Sequence, residues 1–326
     1  MTKNVPAKRK SELLASPLSI VPAAVAYSGR KAQKRFVTFF TDNIRNPNTR
    51  EAYHRNVMRF FAWCELKNLP LPDIESYHVS AYLEELLQEI SKPSVKQHLA
   101  SIRMLFDWLV IGQVVSINPA AAVRGPKHVV KKGVTPVLDE ESAKILLEAI
   151  DTSHVVGLRD RAIIGMMIYS FARIDAVLQM NVRDYYPNGK RWFIRLHEKG
   201  GKLHEMPAHH KLDEFMDDYL DAADIRDQKN SPLFRTSRGR SRVLTNIRHH
   251  RVNAWHMIQR RAADAEISTE ICNHTFRGTG ITNFLENGGF REKAQQMANH
   301  ESARTTGLYD RREDKITLDE IERISI

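Results

Sequence analysis

A chain of 326 residues, 42% of them hydrophobic, is long enough for two domains that each bury a core. No apolar run approaches the ~18 residues a membrane span needs. Cys64 and Cys272 are too few for a disulfide framework, and only a patchy apolar stretch follows Lys8, Arg9 and Lys10, so a cytoplasmic protein without a signal peptide is expected. The formal charge of +10 sits at the front: residues 1–133 hold 20 Lys and Arg against 10 Asp and Glu, and residues 134–326 hold 29 of each. Such a basic surplus attracts polyanions, with affinity drawn from counterion release.

Residues 1–30 mix Lys, Ser, Pro and Ala without a sustained period and read as a basic leader, partly disordered. From about 31 to 125 the pattern is helical. Phe36, Phe39 and Phe40 form one cluster, and Thr49 is the expected N-cap of a helix carrying Tyr53, Val57, Phe60 and Phe61. Val79, Tyr82, Leu83, Leu86 and Leu87 make a third stripe. A fourth helix, expected from Ser94, carries Leu99, Ile102, Leu105, Phe106 and Leu109 until Asn118-Pro119 breaks it. This spacing predicts an N-terminal helical bundle, followed by a Gly/Pro-punctuated basic linker at 126–133.

A second domain is expected over 134–326, with helices restarting near Asp139. Trp192, Ile194 and Leu196 alternate, Glu198-Lys199-Gly200-Gly201 supplies a turn, and Leu203 to Met206 returns as a second strand. The rest reads as mostly helical, so the chain is predicted to be mainly α, with an α+β second domain holding a small antiparallel sheet. Between Asp227 and Asp264 there is no acid, while eight arginines run from Arg235 to Arg261, which suggests contact with a DNA backbone. Histidines 204, 209, 210, 249, 250 and 256 match no standard metal spacing, so neither metal nor cofactor is expected. Thr317 and Glu320 form a capping box flanked by Ile316 and Ile321, predicting a short helix at about 317–325 that bears Leu318, Ile321 and Ile324.

Breaking a phosphodiester without a metal needs a nucleophile, cations for the phosphoryl oxygens, and an acid for the leaving 5′ oxygen. Arg suits the second task through its paired, permanently charged donors; His or Lys suits proton transfer, and Tyr can attack covalently. Arg173, Lys202, His274 with Arg277, His300 and Tyr309 offer these parts in one order. Arg173 precedes the run Ala176, Val177, Met180, near a helix N-terminus where phosphate is favoured. His274 and Arg277 are spaced to share a helix face.

Four strings carry a resemblance. They are Phe171-Ala172-Arg173-Ile174; Lys199-Gly200-Gly201-Lys202 with Pro207; His274-Thr275-Phe276-Arg277-Gly278-Thr279-Gly280; and Asn299-His300, with Tyr309 nine residues on. In this order they resemble the boxes of the tyrosine recombinase (phage integrase) family, and the preceding bundle resembles its SAM-like core-binding domain. The resemblance implies site-specific DNA recombination through a 3′-phosphotyrosine on Tyr309. It implies that Arg173 and Arg277 clamp the scissile phosphate, His300 assists by hydrogen bonding, His274 helps deprotonate Tyr309, and Lys202 protonates the leaving hydroxyl. Lys199 competes for the last role; Lys202 is preferred as the lysine four residues before Met206. Implied partners are double-stranded DNA with short inverted repeats and three further copies of the chain, a homotetramer in which the C-terminal helix docks on a neighbour. With only 30 residues before the bundle, a simple recombinase of a mobile element is expected. One departure stands out: the family carries a carboxylate three residues after its first arginine, and here that residue is Ala176, with Asp175 on a different helix face. Alternatives are a type IB-like topoisomerase, or a DNA-binding protein of the same fold with weakened cleavage.

Overall fold

The computed structural model describes residues 21–128, 133, 135–198, 201–239, 241–310 and 321. Its contacts divide the chain into two units at the Val129/Val130 boundary. The expected C-terminal helix lies outside the described residues except for Ile321. No helix among the described residues is long and apolar enough to cross a membrane.

The first unit is the predicted helical bundle. Its helices are α1 (Ala23–Ala26), α2 (Arg30–Thr38), α3 (Pro47–Leu66), α4 (Ser76–Leu87) and α5 (Lys92–Ile111). Residues 21–30, expected as part of a leader, are built into it, with Ala24 and Val25 buried in the core. Helix α3 begins before the expected Thr49 cap. Asn46 is the N-cap, its side chain accepting from the N–H groups of Asn48 and Thr49, and Pro47 opens the helix where its missing N–H has no partner to lose. The same tolerance lets α5 start at Lys92, ahead of the expected Ser94, with Pro93 in its first turn. Helix α3 packs on α5, and Phe36, Phe40, Phe60, Phe61 and Phe106 meet mostly edge-on. Each of these fully buried rings stabilises the bundle by about 1.5–3 kcal/mol.

The second unit begins with α6 (Glu140–Glu148), which starts where expected and is capped by Asp139, whose Oδ1 accepts from the Ser142 N–H at 2.7 Å. Helix α7 (Val155–Ser170) is central, and a short α8 (Ile174–Gln179) follows it. A three-stranded antiparallel sheet comes next, of β1 (Tyr185–Asn188), β2 (Arg191–His197) and β3 (Leu203–Pro207). The expected hairpin is β2–β3, with Ile194 opposite Met206 and Leu196 opposite His204. Strand β1 was not expected; it joins β2 through the two-residue turn Gly189-Lys190, where Gly189 takes φ +62°.

Helix α9 (His210–Ala223) packs on α7. Past it the sequence reads as helix, but β4 (Arg235–Ser237) and β5 (Leu244–Arg248) pair as an antiparallel ribbon. Strand β4 is too short, and the ladder too irregular, to leave an alternating pattern. Helices α10 (Arg251–Asp264), α11 (Asn273–Glu286), α12 (Arg291–Met297) and α13 (Ala303–Gly307) complete the unit.

The arginine run needs correcting. Arg235 is buried and bonded to Asn246, Gln228 and Ser231. Arg248 donates to the carbonyls of Leu178 and Met180. Arg261 pairs with the buried Asp160 at 2.8 Å, as does Arg159 at 2.5 Å. These arginines are held by internal acceptors, so self-repulsion within the run does not demand a polyanion. Arg238, Arg242, Arg251 and Arg260 remain exposed.

Candidate active site

Helix α7 ends at Phe171, which adopts a left-handed conformation (φ +55°) and turns the chain so that Arg173 becomes the N-cap of α8. This is the helix-terminal position expected for Arg173. The Phe171 carbonyl accepts from Nη1 of Arg277, and the Ala298 carbonyl at the end of α12 accepts from its Nη2 at 2.6 Å. Arg277 therefore ties two chain turns together while only 2% exposed. Desolvation, then the neighbouring charge of Arg173, push its pKa down to about 10, opposed by Tyr309 and Glu198.

Helix α11 comes this close because of its glycines. A Cβ on Gly280 would stand 2.1 Å from the Ile168 carbonyl oxygen, and one on Gly278 would stand 3.2 Å from Cε1 of Tyr309. Thr282 Oγ1 donates to the Tyr309 carbonyl at 3.0 Å, holding that end of the chain on the same helix.

Asn299, left-handed at φ +47°, ends the α12 turn and delivers His300, which is 7% exposed. Its Nδ1 meets Thr306 Oγ1 at 2.9 Å, and its ring lies nearly parallel to that of Tyr309, with centroids 6.0 Å apart. Desolvation, then Arg277 and Arg173, push its pKa down to about 4. His274 sits on α11 with Arg277, but exposed where Arg277 is buried. Desolvation, then the charges of Arg277 and Arg173, lower its pKa as well. Arg173, His274, Arg277, His300 and Tyr309 thus lie within electrostatic or ring contact of one another in a chain of pairs.

Lys202 is less closely tied to that cluster. Its side chain is 61% exposed and its ammonium pairs with Glu301, the residue after His300, at 3.1 Å. Lys199 lies outside the described residues. Sequence reasoning missed Glu198, which pairs with Arg173 at 2.7 Å, because that residue was read only as part of a turn. It also missed His204, whose Nε2 bonds the Met297 carbonyl at 3.1 Å and fastens β3 to the end of α12. Among the described residues no group of His, Cys, Asp or Glu converges in a metal-ligand arrangement.

Comparison with known proteins agrees with this architecture. Residues 136–315 match the phage integrase family, and residues 34–114 match the phage integrase N-terminal SAM-like domain. Tyrosine recombinase XerD of Listeria monocytogenes is 26% identical over 270 residues, spanning 80% of this chain and 87% of that protein. Tyrosine recombinase XerC of Pelobacter propionicus is 28% identical over 272 residues, spanning 82% and 86%. In fold the chain resembles XerH recombinase bound to a palindromic difH substrate (TM-score 0.70, 15% identity, 98% of this chain and 88% of that one). It also resembles a lambda integrase dimer on a core site (TM-score 0.67, 15% identity, 96% and 85%). With the family matched over more than half its length, this chain belongs to the phage integrase family and is a tyrosine-type site-specific DNA recombinase.

Proposed function

We propose that this recombinase cuts and rejoins double-stranded DNA through Tyr309, in the cytoplasm, at sites built from short inverted repeats. One observation carries the reading. Arg277 is buried, its hydrogen-bond partners among the described residues are the neutral carbonyls of Phe171 and Ala298, and the neighbouring cation Arg173 lowers its pKa further. A desolvated guanidinium in that state gains from an incoming anion, and a phosphate beside Tyr309 meets the need.

In this reading Arg173 and Arg277 bind the non-bridging oxygens and stabilise charge that builds as Tyr309 Oη attacks phosphorus. The P–O5′ bond breaks, the enzyme keeps the 3′-phosphate on tyrosine, and the 5′ oxygen leaves with a proton from Lys202. His274, its pKa lowered by its surroundings, is neutral near pH 7 and accepts the tyrosine proton. In the neutral His300 tautomer whose Nδ1 accepts from the Thr306 hydroxyl, Nε2 carries the proton and donates to the phosphate. A 5′-hydroxyl from a second strand reverses the step, so the free energy of the bond is conserved. Four copies on two DNA sites would exchange strands through a four-way junction, with the chain beyond Lys315 docking on a neighbour.

Nicked half-site DNA, which traps the covalent intermediate, tests the reading. The wild-type chain is expected to form adduct with or without chelator, and Tyr309→Phe is expected to bind the DNA and form none. Adduct persisting in Tyr309→Phe would put the nucleophile elsewhere, and loss of adduct in EDTA with recovery in a divalent ion would overturn the metal-free scheme. Lys199→Ala and Lys202→Ala, assayed on a substrate with a 5′-bridging sulfur that leaves without protonation, separate the two lysines: the one rescued by sulfur is the acid. Relaxation of any supercoiled plasmid by lone protomers would instead favour a topoisomerase.

A further inference from the structure

Residue 176, where the family carries a carboxylate, is a buried alanine, yet Arg173 does not lack an acid. Glu198, at the end of β2, brings Oε2 to 2.7 Å from Nη1 of Arg173, with a side chain only 4% exposed. A carboxylate so buried is retained only when paired, and the pairing fixes the guanidinium in return. The backbone of Glu198 also closes the β2–β3 turn. Its N–H donates to the Lys202 carbonyl at 2.8 Å, and its own carbonyl accepts from the Gly201 N–H at 3.2 Å.

We infer that Glu198 is the positioning residue for Arg173, supplying from the hairpin the brace that residue 176 cannot, and that it joins the hairpin carrying Lys202 to the phosphate clamp. This rests on the reading of Arg173 as a phosphate-binding arginine. One bond at Nη1 fixes the plane of the fork while leaving its other donors for phosphate oxygens. Glu198 also acts on Arg277, whose affinity for its proton it raises. The two arginines and the glutamate together hold one net positive charge, the complement of a single phosphodiester. The weakened-cleavage alternative drew its support from Ala176, and Glu198 removes that support.

Glu198→Gln tests the role, since it keeps the shape and removes the charge. On nicked half-site DNA the amplitude of adduct reports the folded fraction and the single-turnover rate constant reports the site. The rate constant is expected to fall about tenfold to a hundredfold, as for a small misplacement of a catalytic group, with DNA affinity little changed. The loss is expected to shrink sharply in an Arg173→Lys background, which keeps a charge but not the planar fork, because coupled residues are not additive. A wild-type rate in Glu198→Gln, or the same fractional loss in both backgrounds, overturns the inference. Should Glu198→Gln fail to fold, Glu198→Asp enters the same cycle, and additive losses there overturn it equally. Absence of adduct from the wild-type chain would refute the proposed function instead.

Discussion

Gly278 and Gly280 lie two residues apart on α11, and the structure predicts opposite failures for them. In Gly278→Ala the new methyl would stand 2.8 Å from Cγ1 of Val137 and 3.2 and 3.4 Å from Cε1 and Cδ1 of Tyr309. Val137 is partly exposed and can rotate, but the tyrosine ring is confined by His300 and by the Thr282 bond to its carbonyl. Overpacking of this kind costs about 1–3 kcal/mol, offset by about 1 kcal/mol from replacing glycine inside a helix. Net stability is therefore expected to change little, while a ring displaced by several tenths of an ångström slows adduct formation about tenfold to a hundredfold. In Gly280→Ala the methyl would stand 2.1 Å from a backbone oxygen, that of Ile168, and within 2.8–2.9 Å of the Phe171 ring. A backbone atom cannot rotate away, so α11 must part from α7. At about 3 kcal/mol, less the same helical gain of about 1 kcal/mol, and about 2–4 °C per kcal/mol for a unit of this size, the melting temperature is expected to fall by about 4–8 °C. Thermal melts with single-turnover trapping separate the two cases. A Gly278→Ala protein that cleaves at the wild-type rate, or that melts as early as Gly280→Ala, would refute the packing argument.

Two further outcomes concern stability. His98, His249 and His300 are buried with pKa values near 4 against an ordinary 6.5. Below about pH 6.5 the unfolded chain takes up protons that the folded chain refuses until about pH 4, so stability present at neutral pH is lost across that window, by up to about 3 kcal/mol per histidine. Urea unfolding between pH 7 and pH 4 checks this, and a flat profile would contradict it. Asp160→Asn leaves the guanidinium groups of Arg159 and Arg261 without the carboxylate they share; a loss of about 3–5 kcal/mol is expected in the same measurement, and less than about 1 kcal/mol would show the network to be dispensable.

The fold was legible where periodicity is long. The stripes from Val57 to Phe61, Val79 to Leu86 and Leu99 to Leu109 each bury one helix face, and the alternation of Ile194 and Leu196 marks the strand that packs on the core. Boundaries were less legible because a proline inside the first turn, as in α3 and α5, costs a helix little and conceals its start. Strand β1 and the β4–β5 ribbon left too few alternating positions to detect. In the arginine run, composition misled: Arg248 and Arg261 read as free charge because partners such as the Leu178 carbonyl and Asp160 lie far away in sequence, and Arg235 because its nearby partners, Gln228, Ser231 and Asn246, are neutral.

The site repeats that lesson at closer range. Arg173, His274, Arg277, His300 and Tyr309 could be picked out because each sits in a recognisable string, and each lies within electrostatic or ring contact of another of the five. Ala176 could be seen as a departure from the family, but its compensation could not, because a position-by-position reading asks only what stands at residue 176. Charge balance asks a different question. Two arginines close enough that each lowers the proton affinity of neighbouring groups need an acid within reach before DNA arrives, wherever the chain can supply it. The turn at Glu198 can, because the β2–β3 register sets its side chain beside α8 while the same backbone holds the lysine-bearing tip. A brace moved from the helix to the hairpin keeps the guanidinium in place, and it also makes the geometry of the phosphate clamp depend on the hairpin being closed.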